Sequence, residues 1–150
     1  MNLRDEEFLK IIDATPLVSI DLIMRDQRGR ILMGKRINQP AVGSWFVPGG
    51  RIKKGEDVSS ALSRIGEMEI GMILDRKKGR FINVYDHFYN TNYANVEGIS
   101  TQYVVLAFEF NLEIDLRQLP LDQHSEWKWI AGSESGTAHN NSAAYFKSCD

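Results

Sequence analysis

Residues 50–72, GRIKKGEDVSSALSRIGEMEIGM, carry the pattern that decides the fold. From about Asp57 to Ile70, apolar residues fall at positions 58, 61, 62, 65 and 68, which is the period of an amphipathic helix. Gly71 follows as a C-cap, because glycine readily adopts the left-handed conformation that ends many helices. The stretch therefore predicts a glycine-containing loop that leads into one long helix.

Glu69 interrupts the apolar face of this predicted helix. At roughly 100° per residue, it falls within the stripe of Val58, Leu62 and Ile65. It also lies in the last turn, where the helix dipole disfavours negative charge, and burial of an unpaired carboxylate is costly. We therefore expect a cation to compensate Glu69, either an arginine or lysine in a salt bridge or a bound metal ion; the alternative is that its side chain reaches solvent at a frayed helix end.

Composition limits the class of protein. The chain has 150 residues, of which 43% are hydrophobic and 25% charged, so we expect one globular domain over residues 1–150. The net charge of -2 and the lack of any apolar run of roughly 18 residues predict that neither nucleic acid nor a membrane is a partner. A single cysteine, Cys149, excludes an internal disulfide framework and, with an N-terminus unlike a signal peptide, indicates a cytoplasmic protein.

The remaining segments alternate between helix and strand patterns. A short helix capped by Asp5 is predicted to end before Pro16, and Gly49 and Gly50 are predicted to turn the chain sharply. Strands are predicted at 17–24 and 30–36, which form a hairpin around the turn DQRG, and at 45–47, 81–89, 101–113 and 125–130, with a last short helix at 143–147. Strands with flanking helices predict the α+β class.

The spacing of charged residues and glycines in the opening stretch forms a recognisable series. Gly50 is followed by five residues and Glu56, then by seven residues and Arg64, and then by Glu69 and Gly71. This order resembles the Nudix signature, in which a loop and a helix hold a divalent cation against a diphosphate.

Departures from that signature point to one branch of the family. Where the usual signature follows its arginine with a glutamate and later with a glutamate pair, this chain has Ile65, Met68 and Glu69, so one clear metal carboxylate is left. In-line attack on phosphorus commonly uses more than one metal ion, and this helix is short of ligands for it. From residue 2 to about 147 the chain resembles the GDP-mannose mannosyl hydrolases. The motifs that carry the resemblance are the degenerate signature, TPLVSIDLIMRD, GKRINQPAVGSWFVPGGR, YDHFY, TQYVVLAFEF and LDQHSEWKWI.

The resemblance implies a Nudix fold, with a mixed β-sheet sandwiched between α-helices, and a cytoplasmic homodimer. It also implies hydrolysis of GDP-mannose, and of GDP-glucose, to GDP and free hexose by attack of water on the anomeric carbon with inversion. One Mg²⁺ per subunit, replaceable by Mn²⁺, would neutralise the diphosphate. Because a diphosphate neutralised by a metal ion and guanidinium groups is a good leaving group, no general acid is required.

The resemblance also implies a set of metal ligands. They are the backbone carbonyl of Gly49, the carboxylate of Glu69 and the amide oxygen of Gln123, which suit a hard cation that prefers oxygen. Without the resemblance, Gln123 is an ordinary loop glutamine.

Further residues acquire catalytic roles from the same match. His124 would deprotonate the water, since the pKa of histidine, roughly 6.5, suits a base near neutral pH. Arg36 would contact the diphosphate, and the hydroxyl of Tyr103 would contact a phosphate oxygen. Taken alone, His124 is a surface or structural histidine, and the ring of Tyr103 is core packing. Asp21, in an apolar strand, needs a donor, which sugar hydroxyls, His87 or a neighbouring loop would supply.

Substrate contacts are implied at both ends of the nucleotide sugar. Arg51 and Arg64 would reach phosphates, although Arg64 has the alternative of pairing with a helix carboxylate one turn away. His87 would contact the sugar. The N-terminal residues that would bind guanosine, in a dimer across the subunit interface, are Asn2, Leu3 and Phe8. For Phe8 the alternative is the buried stripe of a docking helix.

Two other functions compete with the hydrolysis of the sugar bond. A Nudix pyrophosphatase would cleave between the phosphates to give GMP and a sugar phosphate, and Ile65 and Met68 argue against it. A module that binds nucleotide sugars without turnover is the second. Against it stands the joint presence of Glu69, Gln123, His124 and Arg36.

Overall fold

The computed structural model describes residues 4–147, so Asn2, Leu3 and Cys149 lie outside the described residues. Short 3-10 turns lie at Arg76–Lys78, Leu116–Gln118, Gly132–Thr137 and Ala144–Lys147. The helices are α1 (Asp5–Ala14), α2 (Val58–Ile70) and α3 (Asn140–Ala143), and the strands are β1 (Leu17–Arg25), β2 (Ile31–Arg36), β3 (Trp45–Phe46), β4 (Gly49–Arg51), β5 (Arg80–Tyr89), β6 (Thr101–Asn111) and β7 (His124–Ile130).

The strands form a mixed sheet around β1 and β6, which run parallel along their whole length. The sheet order is β3-β2-β1-β6-β5, with β4 paired to β1 and β7 paired to β2. β1 and β2 pair only at Arg25 and Ile31, next to their turn. The predicted hairpin is therefore confirmed, but its pairing is confined to the turn end, and along Ser19–Asp21 strand β1 pairs with β4 while β2 diverges.

Gly49 and Gly50 form part of strand β4 instead of the predicted sharp turn. Gly49 lies opposite Asp21 in the antiparallel pair of β4 and β1. A Cβ on Gly49 would collide with the carbonyl oxygen of Ile20 and lie 2.7 Å from Oδ1 of Asp21. Glycine is therefore required here for close approach of two backbones and not for an unusual backbone angle.

Helix α2 follows the predicted bounds closely. The side chain of Asp57 accepts a hydrogen bond from the Ser60 amide at 2.7 Å, and Gly71 ends the helix with a φ of 72°, as the sequence predicts. Ala61, Leu62 and Ile65 are fully buried against the sheet. Met68, which the periodicity placed on the apolar face, is 59% exposed because that part of the face looks into a cleft.

The opposite face of the sheet is covered by the C-terminal segment. Tyr145 is fully buried there among Ile23, Met33 and Ala107, and the amide of Val47 donates to Oγ of Ser142 at 3.0 Å. With α2 on one face and this segment on the other, the structure confirms the α+β sandwich. The last helix differs from the prediction, since α3 begins at Asn140 and the chain continues as a 3-10 turn.

Helix α1 begins at Asp5, as expected, but Asp5 does not cap it. Arg4 occupies the N-cap position without a capping side-chain hydrogen bond, and Asp5 instead accepts a hydrogen bond from the Tyr93 hydroxyl at 2.9 Å. Within residues 4–147, no helix combines the length and the apolar character that crossing a membrane would need.

An ion pair joins the middle of α2 to the loop before the helix. Nε of Arg64 donates to Oε2 of Glu56 at 2.7 Å and Nη2 donates to Oε1 at 2.8 Å, while Nη2 also donates to the carbonyl of Arg51 at 2.8 Å. The hydrogen bonds from Arg64 lower the pKa of Glu56 from 4.5 to about 2. This pair therefore joins β4, the loop and the helix as one unit.

We expect Glu56→Gln to lower the free energy of unfolding by about 1.5 to 3 kcal/mol at pH 7, because it removes a charge-assisted pair. Folding depresses the pKa of Glu56, so the pair stabilises the fold above pH 4.5 and its contribution disappears as the pH falls towards about 2. Urea unfolding at pH 7 and pH 3 measures this. The difference between wild type and variant should shrink at pH 3, and Glu67→Gln, an exposed position of α2, is the control. An equal difference at both pH values would contradict the assignment.

Candidate active site

A cleft of about 290 Å³ opens beside β4, between the diverging strands β1 and β2 and the C-terminal half of α2. It gathers every residue predicted for the site within residues 4–147 except Phe8. The predicted residues that line it are Asp21, Arg36, Gly49, Arg51, Arg64, Glu69, His87, Tyr103, Gln123 and His124.

Asp21 lies at the floor of the cleft, in the part of β1 that pairs with β4. Its Oδ2 accepts a hydrogen bond from the hydroxyl of Tyr145 at 2.6 Å. Burial raises the pKa of Asp21 to about 6, against the opposing effects of Tyr145 and the charge of Arg36. The donor that the sequence required is thus Tyr145, in the 3-10 turn Ala144–Lys147, and not His87 or a neighbouring loop.

Glu69 reaches the cleft from the last turn of α2. Its Oε1 accepts a long hydrogen bond, 3.4 Å, from the amide of Gly49. Burial raises the pKa of Glu69 to about 7, and the charge of Asp21 raises it further, while Gly49 and Arg36 lower it. Among residues 4–147 no ion pair joins Glu69 to an arginine or lysine, so the salt bridge considered from the sequence is not formed.

The oxygen donors of this region suit a hard cation. Glu69 is a desolvated carboxylate without an ion-pair partner in the described chain, and Gln123 lies across the cleft with its Oε1 accepting from Nδ2 of Asn38 at 2.9 Å. In residues 4–147 no group of three or more His, Cys, Asp and Glu side chains is placed to hold a metal ion. A metal here would therefore take carboxylate, amide and backbone oxygens, which is the donor chemistry that Mg²⁺ prefers.

His124 and His87 are both buried at the cleft and both neutral at pH 7. Burial and the nearby charge of Arg36 lower the pKa of His124 to about 4, and burial lowers that of His87 to about 4. The ring of His124 lies 4.5 Å from that of Trp127. Each imidazole therefore keeps a nitrogen lone pair that can accept a proton.

Arg36 is a cation whose charge acts on several of the surrounding groups. Its guanidinium lies 5.3 Å from the centroid of the Phe46 ring. Its charge acts on acids and bases alike, since it lowers the pKa of Asp21, of Glu69 and of His124. It also opposes the rise that burial causes in the pKa of Tyr103. An anion in the cleft would therefore meet this charge at the end of β2.

The other predicted arginines are partly engaged by the protein. Arg64 pairs with Glu56, which precedes α2, so the partner expected one helical turn away is not the one found. The guanidinium of Arg51 lies 4.4 Å from the centroid of the Phe8 ring. Phe8 also packs at 5.4 Å on Tyr93 and does not line the cleft, so in this structure α1 docks through Phe8 onto a cleft residue.

Several residues of the cleft were not predicted. Tyr89 lines it two residues after His87, on the same side of β5, and its hydroxyl accepts from Nδ2 of Asn141 at 3.0 Å. Lys53 lines it two residues after Arg51. Strand alternation was a usable signal for Tyr89, whereas no local pattern marks Tyr145, which lies 124 residues from Asp21 in the chain.

Comparison with known proteins places these features in one family. A model of the NUDIX domain matches residues 15–147. The Low-salt glycan biosynthesis protein Agl8 of Haloferax volcanii is 42% identical over 128 residues, which cover 83% of this chain and 76% of that protein.

Solved structures agree on the fold. A MutT NUDIX hydrolase from Burkholderia pseudomallei superposes with a TM-score of 0.70 at 25% identity, over 91% of this chain and 99% of that one. The MutT protein from Methanosarcina mazei Go1 gives 0.67 at 17% identity, over 89% and 93%, and shows the fold alone. Because the domain model spans most of the chain and a relative agrees over most of its own length, this chain belongs to the Nudix family of hydrolases.

Proposed function

We propose that this protein hydrolyses GDP-mannose, and also GDP-glucose, to GDP and free hexose, and that it does so in the cytoplasm as a homodimer. Water attacks the anomeric carbon, and the bond between that carbon and the phosphate oxygen breaks with inversion. The observation that carries the proposal is the placement of a buried, neutral imidazole, His124, in the same cleft as the cation Arg36 and Glu69, the one clear metal carboxylate of the signature.

The sparse ligand set favours attack at carbon over attack at phosphorus. Ile65 is buried in the core and Met68 lies at the cleft rim, so neither signature position offers an oxygen. Attack on phosphorus commonly requires metal ions on both the entering and the leaving oxygen. Departure of an intact diphosphate needs its charge neutralised only on the leaving side, which one metal ion and arginines can do.

The relative in Haloferax volcanii favours a sugar-containing substrate. Its name assigns it to glycan biosynthesis, a process that consumes activated sugars. A nucleotide sugar has a diphosphate to meet Arg36 and Arg51 and hydroxyl groups to meet the floor of the cleft. The described cleft offers both kinds of partner.

His124 acts as the general base in this reaction. Its neutral imidazole accepts a proton from the attacking water while the new bond from oxygen to the anomeric carbon forms. The electron pair of the breaking bond leaves with the diphosphate. Arg36 and Arg51 stabilise the negative charge that develops on the diphosphate, and the hydroxyl of Tyr103 donates a hydrogen bond to a phosphate oxygen.

Other residues orient the two halves of the substrate. Gly49, Glu69 and Gln123 would hold Mg²⁺, which when bound supplies positive charge that stabilises the leaving diphosphate. Asp21, held by Tyr145, accepts a hydrogen bond from a sugar hydroxyl, and His87, which lines the same cleft from β5, also contacts the sugar. Arg64 keeps the loop in place through Glu56 while facing the cleft. Guanosine binding by Asn2, Leu3 and Phe8 stays a proposal.

Incubation with GDP-mannose and Mg²⁺ in ¹⁸O-labelled water tests the bond that breaks. We expect the label in free mannose and none in GDP, because the water oxygen ends on the carbon. Mass spectrometry of both products measures this, with a metal-chelated sample as control. Label in GMP or in a sugar phosphate would identify a pyrophosphatase instead, and tight GDP binding without products would identify a binding module.

We expect His124→Gln to lower kcat by about 10²- to 10⁴-fold, the usual contribution of a general base, and to leave the KM for GDP-mannose and the melting temperature nearly unchanged. Steady-state kinetics and thermal unfolding measure these quantities. His139→Gln is the matched control, because His139 does not line the cleft and should stay within a few-fold of wild type. Near-normal turnover of His124→Gln would remove His124 from the mechanism.

A further inference from the structure

Gly34 occupies a position in the middle of β2 where a side chain would be usual. It lies opposite Phe46 of β3 and opposite Trp127 of β7. Gly34 is not among the residues of the described chain with a positive φ, so an alanine could adopt its backbone conformation without strain. The reason for glycine at this position must therefore be space.

The imidazole of His124 fills the space above Gly34. A Cβ built on Gly34 would lie 2.5 Å from both Cγ and Cδ2 of His124 and 2.9 Å from its Cβ. Atoms this close overlap strongly, so a side chain at position 34 and the present position of the imidazole exclude each other.

A β-bulge and an indole ring hold the imidazole in place over Gly34. Arg36 pairs with His124 whereas Gly34 pairs with Trp127, so residues 125–126 of β7 lie opposite the single residue Lys35. Such bulges change the direction of a neighbouring side chain. Trp127 is fixed by a hydrogen bond from its Nε1 to the carbonyl of Pro120 at 2.7 Å, and its ring lies 4.5 Å from the imidazole.

We propose that Gly34 is the positioning residue for the general base. Its missing side chain lets the imidazole of His124 rest on the backbone of β2, beside Trp127, and face the cleft. The role of that imidazole as a base rests on the function proposed above, whereas the dependence of its position on Gly34 rests on the geometry alone.

Gly34→Ala tests this, with Gly136→Ala as the matched control because a Cβ at position 136 meets nothing within 4 Å. The chain has three histidines, so the Hδ2 resonance of His124 is assigned from the His124→Gln spectrum. We expect this resonance, which senses the Trp127 ring, to move in Gly34→Ala alone. Turnover of GDP-mannose should fall about 10- to 100-fold with little change in KM, because a misplaced catalytic group slows the chemical step. An unmoved resonance and wild-type turnover would overturn the proposal.

Two further outcomes separate the test of Gly34 from the test of the proposed function. If the wild type does not hydrolyse GDP-mannose, the proposed function fails, and the His124 resonance still decides the role of Gly34. If Gly34→Ala does not fold, the same substitution is made in His124→Gly, which removes the three atoms nearest to the new Cβ. Recovery of folding supports the proposal, and no recovery shows that β2 itself requires the glycine, which overturns it.

Discussion

The contact on which the site depends is the close approach of Gly49 to β1. Because Gly49 has no Cβ, strand β4 can lie directly against the backbone of Ile20 and Asp21. There β4 pairs with the part of β1 that β2 does not reach. The loop after β4 then returns into α2, whose last turn brings Glu69 to the amide of Gly49. One backbone contact therefore sets the separation between the carboxylate of Asp21, at the floor of the cleft, and that of Glu69, at its wall.

Burial of charged groups around this contact costs the folded chain electrostatic free energy. Two carboxylates, Asp21 and Glu69, lose hydration next to each other, and burial raises the pKa of both. Arg36 offsets part of that cost without forming an ion pair within 4 Å with either of them in the described chain. Such an arrangement is expected where binding of a ligand, and not stability of the fold, determines which residues occupy a site.

Sequence patterns predicted the parts of the molecule that depend on neighbours in the chain. The period of α2, its C-cap at Gly71 and the position of Glu69 on its inner face follow from local spacing. The set of cleft residues came from the resemblance to a family. The pairing of β4 with β1 and the hydrogen bond from Tyr145 to Asp21 could not be predicted, because they join segments that no periodicity relates.

The C-terminal covering of the sheet has a consequence for when the site forms. Tyr145 and Ser142 reach back across 124 and 95 residues to Asp21 and Val47, so the residues that support the floor are made long after the residues they support. On the ribosome, the nascent chain can complete β1 and α2 while the floor still lacks the hydroxyl groups of Tyr145 and Ser142. The pocket is therefore complete only once residues 142–145 have been made, and not gradually along the way.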